Sequence, residues 1–459
     1  MNYSATNTEL WGPIIQIGII AGLIVLANML RRKISFIRNS LMPTAVIAGF
    51  ILLILRTTGV VTMSMEFLEA LTYHMLALGF IALTLRASDK QTEDGALIGS
   101  KSGALIVSTY LVQAITGLII SLTLAYTIKP DLFKASGILL PMAYGQGPGQ
   151  ANNVGSSYEA LGMAGGQSFG LSLSAAGFLC ACVVGVIYLN ILNKKGKIVR
   201  NKDKDALSGS VTVELFQDHD EIPIAESIDK LSVQAAIIAL LYLLTYLFTA
   251  GVVALLEKLA PGLAKTLSPL LWGFNFIVGS VVALACRSLF KGLKRAKVMK
   301  HQYLNNYLLN RLSGLAFDIM IVAGIASIDI KELSGNWLPF ILMAVLGGVV
   351  THFYLVYMCK KLYPDYFYEG YFSMFGMLTG TLSSGVLLLR EVDPDLKTPA
   401  SNNLITGSSF GIIFGAPMLL VISYAAQSEV STWIAFGLIF IYLAALLLFM
   451  AKVGKKKKK

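Results

Sequence analysis

The chain has 459 residues, of which 55% are hydrophobic and only 14% charged, with a mean hydropathy of +0.69. A soluble domain carries about 25% charged residues, so this composition excludes one and points to an all-α polytopic membrane protein. The net charge of +11 does not mark a nucleic-acid binder, because the basic residues lie in loops and the C-terminal tail, where they set topology.

In chain order, eleven apolar stretches are long enough to be read as spans: 11–30, 42–55, 67–85, 97–127, 166–192, 232–256, 268–285, 303–327, 338–358, 404–426 and 432–451. The second is short and is extended toward Phe36. No Lys or Arg precedes the first stretch, and Arg31, Arg32 and Lys33 follow it. A cleaved signal peptide has the opposite flanks, so the first span is expected to stay, with its N-terminus outside and the C-terminus cytoplasmic. The hydrophilic stretch 193–231 is charged and lacks apolar periodicity, as a cytoplasmic linker does. The lysines at 455–459 suit a cytoplasmic anchor near anionic lipid. The four cysteines lie in or at the ends of apolar stretches without zinc or redox spacing, so they are expected to act as packing residues.

Two further stretches interrupt the apolar pattern. Residues 144–157 read Y-G-Q-G-P-G-Q-A-N-N-V-G-S-S, and residues 376–385 read G-M-L-T-G-T-L-S-S-G. In lipid, an unpaired backbone N–H or C=O costs several kcal/mol, so broken backbone survives there only inside protein or along a wet cavity. Paired interruptions in corresponding positions of two halves point to a transporter's binding site. Charge separates a crossing from a re-entrant hairpin. If both stretches re-enter, the cytoplasmic loops hold 28 Lys and Arg and the external loops six. If both cross, the basic loops at 193–230 and 287–300 face outward, against the positive-inside rule. Arms of 11–12 residues span roughly 16–18 Å as helix, about half of a hydrocarbon core. The expected tips, 146–150 in the first hairpin, therefore lie near the midplane.

Setting the last span apart, each half has five spans with a hairpin before the fifth, which makes the halves inverted relative to each other. The motif Gly166-Gln-Ser-Phe-Gly170 recurs as Gly407-Ser-Ser-Phe-Gly411, each opening a fifth span. Pro43 and Pro269 each open a second span. The expected organisation is a first repeat over 1–192 with hairpin 135–162, the linker 193–231, a second inverted repeat over 232–426 with hairpin 369–394, and an extra span with the lysine tail over 427–459.

This arrangement resembles the bacterial sodium/glutamate symporters over roughly residues 10–426. The motif Gly145-Gln-Gly147-Pro-Gly149-Gln-Ala151 is similar to that family's G-x-G-x-G-x-A tip, and Leu41-Met-Pro-Thr-Ala-Val-Ile-Ala-Gly49 to its proline-containing early span. The resemblance implies sodium-coupled uptake of glutamate at the plasma membrane, homodimers of two-domain protomers, and elevator-like movement of the hairpin domain. The second tip departs from the pattern, with Gly380 and Gly385 but no alternating glycines.

Candidate residues follow from ligand chemistry. Sodium, the expected coupling ion, prefers carbonyl, amide and hydroxyl oxygens, which Asn152, Asn153, Ser156, Ser157 and Thr379 supply. A small anionic substrate is best met by free helix N-termini rather than a buried lysine. Gln146, Gly147, Gly149, Gln150 and Ser168 on one side, with Thr381, Ser383, Ser384 and Ser409 on the other, are the expected substrate contacts. The competing reading is that small residues only let helices approach closely, which suits Gly18-x-x-x-Gly22. Asp318 inside an apolar stretch is a candidate cation or proton site, or else one half of a structural pair with Arg311. His74 and His352 have no spaced metal partner and are expected to be core histidines. Asn402 and Asn403 suit caps of the last repeat span.

The same helix ends suit di- or tricarboxylates with sodium or proton coupling, and a passive channel is a further class. No acid/base pair, nucleophile arrangement or P-loop appears, so an enzyme or ATP-driven pump is not expected. Single cysteines placed within 193–230 should be labelled only from the cytoplasmic side of intact cells; outward labelling would turn both hairpins into crossings.

Overall fold

The structure is a computed structural model that describes residues 3–86, 93–198, 230–261, 264, 268, 271–299, 303–393 and 397–453. Much of the expected linker, Pro269, Pro394 and the lysine tail lie outside the described residues. Regular structure among the described residues is helical, with no strand. In chain order the helices are α1 (Thr8–Lys33), α2 (Ser35–Asn39), α3 (Thr44–Thr57), α4 (Met65–Leu85), α5 (Glu93–Thr127), α6 (Leu139–Tyr144), α7 (Pro148–Glu159) and α8 (Gly166–Lys194). There follow α9 (Lys230–Leu259), α10 (Asn275–Arg295), α11 (Asn306–Ala326), α12 (Trp337–Leu362), α13 (Phe367–Thr379), α14 (Leu382–Arg390), α15 (Ala400–Ala425) and α16 (Glu429–Val453).

Among the described residues, nine helices are long and apolar enough to cross a membrane. A tenth, α15, is bent by 42° near Ser408, whose hydroxyl bonds back to Leu404 O and loosens that turn. With α3, 14 residues long, these account for the eleven apolar stretches. In the seventh, residues 268 and 271–273 are helical, and α10 runs from Asn275 on through Arg287, Lys291 and Lys294. Those residues are good helix formers whose stems can lie along apolar surface, so the helix does not stop at the first charge. Large apolar side chains face outward along α9, including Leu240, Leu243, Leu247 and Phe248, each more than half exposed. A membrane protein meets lipid with such a surface; a soluble one would hide it.

The chain divides into two compact units. The first takes in Met1–Glu69, Gln91–Asp203 and Ile321–Lys459, and so holds both helix breaks. The second takes in Ala70–Lys90 and Lys204–Met320, and packs Ile81, Ala82 and Leu85 against Ile238, Leu241, Ala283 and Leu309. Polar ties close that core. Tyr73 Oη donates to Trp272 O at 2.6 Å, His74 Nδ1 lies 2.6 Å from Tyr242 Oη, and Ser313 Oγ donates to Gly79 O at 3.0 Å.

The spine of the first unit is α5. Gly117 on α5 meets Gly137, in the short 3-10 turn Lys134–Ile138, so closely that a Cβ on Gly117 would lie 2.0 Å from Gly137 O. Ser121 Oγ donates to Lys134 O at 2.7 Å beside this contact. Farther along α5, the Tyr110 ring fills the space a Gly145 side chain would need. The last helix, α16, is pinned at its start. Lys134 Nζ donates to Glu429 Oε2 at 2.5 Å, Tyr126 Oη donates to the same carboxylate, and Trp433 Nε1 donates to Tyr126 Oη at 3.0 Å. The hydrogen bond to Glu429 raises the Lys134 pKa above its ordinary value.

The glycines at 18 and 22 behave differently from those on α5. A Cβ on either would meet nothing within 4 Å, so this spacing mediates no close helix approach among the described residues. Gly117→Ala should therefore cost about 1–3 kcal/mol, the usual range for overpacking. Gly18→Ala should be neutral or slightly stabilising through helix propensity. Thermal midpoints of the two purified variants give the comparison, and equal midpoints would refute it.

Candidate functional site

Both interruptions form helical hairpins. In the first, α6 ends at Tyr144, the chain turns through residues 145–147, and α7 starts with Pro148 at its first position. Proline is at home there, because it has no N–H to leave unpaired and its φ is preset for a helix. Gly147 supplies the turn with φ +86°, a value that L side chains rarely adopt. The segment then folds back, so that the Phe133 and Tyr158 rings at its two ends lie 5.4 Å apart. In the second hairpin, α13 ends at Thr379 and α14 begins at Leu382. The arms pack backbone to backbone: a Cβ on Gly376 would lie 2.6 Å from Ser384 O, and one on Gly385 would lie 2.5 Å from Ser373 O.

The two tips meet. A Cβ on Gly147 would sit 3.5 Å from Thr381 Cγ2 and 3.7 Å from Gly380 O. Neither Gly147 nor Thr381 caps its helix with a side chain, so the first-turn N–H groups of α7 and α14 depend on other partners. The floor is α8. Gly170 faces Ala151 O, and Gly177 faces both Thr379 O and the Tyr144 ring. Ser174 lies four residues after one and three before the other, on the same helix face and level with the tips.

Buried polar atoms without hydrogen-bond partners concentrate here. Gln150 is fully buried, and among the described residues both its amide oxygen and its amide nitrogen lack a partner; so do the hydroxyls of Ser172, Ser174, Thr381 and Ser384. Native proteins pair nearly all such groups, and an orphan costs about 1–3 kcal/mol. Gln150 and Ser384 occupy the same place in their hairpins, the third residue of the returning helix. This grouping of an amide, hydroxyls and two helix N-termini, with no charged side chain among these residues, suits a small polar ligand bearing a carboxylate.

The remaining expected contacts are distributed unevenly. Gln146 and Gly149 flank the first tip, with Gln146 half-buried. Ser383 and Ser409 lie on α14 and α15. Thr379 is at the second tip, and its hydroxyl donates to Phe375 O at 2.7 Å. Asn152 and Asn153 sit one turn into α7; Asn152 Oδ1 accepts from Gln167 Nε2 at 2.7 Å. Ser156 and Ser157 donate to the carbonyls of Asn152 and Asn153. Ser168 Oγ donates to Glu332 Oε2 at 2.7 Å and accepts from Asp329 N–H. It lies nine residues before Gly177 on α8, about 13 Å by the helical rise, so the structure does not bring it to the tips.

Asp318 belongs to the second unit, whereas the tips belong to the first. Arg311 lies over the Tyr307 ring at 5.1 Å, and the ion pairs among the described residues do not include one with Asp318. Among the described residues no group of three His, Cys, Asp or Glu could hold a metal. His352 Nδ1 lies 2.6 Å from Tyr371 Oη in an aromatic cluster with Tyr188, as a core histidine does. Asn403 Nδ2 donates to Tyr366 Oη at 2.8 Å rather than capping α15. After the second hairpin, burial pushes the Asp393 carboxyl up. Hydrogen bonds from Thr398 and from the Lys397 N–H outweigh that and hold it below its ordinary value.

Sequence reasoning missed Gln113, Ser172 and Ser174. Gln113 was the most accessible of these, as the one amide side chain within the apolar stretch 97–127. Compared with protein-family models and with curated proteins, the chain matches none.

If the orphaned amide of Gln150 exists for a ligand, Gln150→Leu should leave the ligand-free thermal midpoint unchanged or raised, since a buried orphan is replaced by an apolar group. The same variant should lose at least tenfold in substrate affinity by a binding titration. A lowered midpoint with unchanged affinity would assign Gln150 to structure alone.

Proposed function

We propose that this chain is a secondary active transporter of the plasma membrane that couples sodium entry to uptake of glutamate or a similar small anionic amino acid. The observation that carries the reading is the meeting of two hairpin tips over α8, with buried Gln150, Ser174 and Ser384 and half-buried Thr381 all lacking side-chain partners among the described residues. Substrate carboxylates dock on the N-termini of α7 and α14, where the helix dipole and free N–H groups favour negative charge without a buried lysine. Oxygens near the tips take the sodium ion. Each ligand reduces the repulsion the other feels, which couples their binding. The membrane potential contributes about 2.3 kcal/mol per net charge per 100 mV, enough to drive accumulation of an anion that enters with excess cations.

In this reading both hairpins are re-entrant, entering from opposite faces, and the two halves form an inverted repeat. Reciprocal packing supports the duplication. Phe169 of the first motif lies 6.5 Å from Phe340 at the start of α12, the fourth span of the second half. Phe410 of its echo packs against Gly99 and Gly103 on α5, the fourth span of the first half. The division into two units, one holding both hairpins, is consistent with an elevator-like movement in a homodimer. In the same reading the N-terminus lies outside and the C-terminus in the cytoplasm, which the loop charges support.

The test is uptake of labelled glutamate by reconstituted vesicles, with and without an inward sodium gradient, competed with aspartate, succinate and citrate. Accumulation above equilibrium that requires sodium and is blocked by aspartate supports the reading. Sodium-independent uptake removes the coupling. Competition by succinate or citrate alone moves the substrate to di- or tricarboxylates, and unsaturable downhill flux makes the protein a channel.

A further inference from the structure

Gln113 lies in the middle of α5, one turn beyond the Tyr110 ring that packs on the first tip, and it is fully buried. Its amide nitrogen donates to Thr351 Oγ1 on α12 and to Leu378 O in the last turn of α13, both at 2.9 Å. These partners fix which end of the amide is which. A carbonyl oxygen can only accept, and the Thr351 hydroxyl proton is already given to Gly347 O at 2.7 Å. Both amide protons are therefore used, and Oε1 points away from these acceptors. That oxygen is buried and has no hydrogen-bond partner among the described residues.

Three features describe what is missing. An amide oxygen takes a hydrogen-bond donor or a cation. Leu378 lies in the last turn of α13, which stops inside the protein, so the carbonyl end of a half-helix and its partial negative charge stand beside Gln113. Discontinuous helices present this end to cations and the opposite end to anions. The described residues also hold no cluster of carboxylates of the kind a divalent ion needs.

We propose that Gln113 Oε1 is a ligand for a sodium ion, beside the second tip and outside the oxygen set on α7. The site rests on the transport reading above and adds a residue to it. Because the same amide holds Leu378 O through its nitrogen, a cation on Oε1 fixes Leu378 and, two and three residues on, Gly380 and Thr381. This gives sodium a route to order the substrate gap without touching substrate.

The experiment is thermal stabilisation of the purified full chain by sodium chloride against choline chloride, without substrate, followed by the sodium dependence of uptake. In Gln113→Met the sodium half-saturation should rise at least tenfold. In Thr351→Val, which removes one amide partner but keeps Oε1, it should stay within threefold. Should Gln113→Met fail to reach the membrane, Gln113→Asn withdraws the same oxygen and should show the same loss. Wild-type sodium half-saturation in either Gln113 variant overturns the site. Unchanged sodium binding with weakened substrate binding overturns it too, and gives Oε1 to the substrate's ammonium. A wild-type protein that takes up substrate without sodium defeats the transport coupling itself, a separate and recognisable result.

Discussion

A helix that stops inside a membrane leaves four N–H groups or four C=O groups without partners, and hydrocarbon cannot supply any. This chain stops helices twice within its apolar region, at Tyr144 and at Thr379, and everything around those stops follows from the need to cover them. Glycine does much of the covering by its absence of bulk. Gly376 and Gly385 let the arms of the second hairpin close on each other, and Gly177 lets α8 come up against Thr379 O. The covering is incomplete at the tips, where the side chains of Gln150, Ser174, Thr381 and Ser384 have no hydrogen-bond partner among the described residues. An incomplete cover of this kind is what a ligand would finish.

The long helix α5 holds the arrangement together. Along one helix it presents Gly103 to Phe410, Tyr110 to the first tip, Gln113 to the second hairpin, Gly117 to the root of the first hairpin and Tyr126 to the last helix. Small and large residues alternate along it according to what lies opposite. Backbone approaches it most closely at Gly117, while Gln113 takes the Leu378 carbonyl through its amide and the Tyr110 ring packs on Gly145. A helix used this way cannot be read as a simple membrane crossing, since almost every turn has a different partner.

Much of this was legible in the sequence. The eleven apolar stretches correspond to helices, and both breaks fall where glycine and proline interrupt the hydropathy. Pro148 even marks which residue begins α7, because only a first-turn position suits it. The limits of the reading are equally physical. Hydropathy cannot see that a charged run such as Arg287 to Arg295 continues a helix, since stems and heads of long side chains behave differently. Nor can it rank polar residues by what they face. Ser168 and Ser174 look alike in sequence, yet one is engaged by Glu332 and the other lies level with the tips without a partner. Gln113 is the sharper case, because its meaning lies in a single unpaired oxygen that depends on two distant segments.

The clasp among Lys134, Tyr126, Glu429 and Trp433 has a mechanical consequence. It fastens the start of the final helix to the root of the first hairpin, so the two are joined at that end by charge, hydroxyl and ring together. Any displacement of the hairpin's root pulls on that final helix, which then acts as a lever arm whose far end, toward Val453, would register what happens near the first tip.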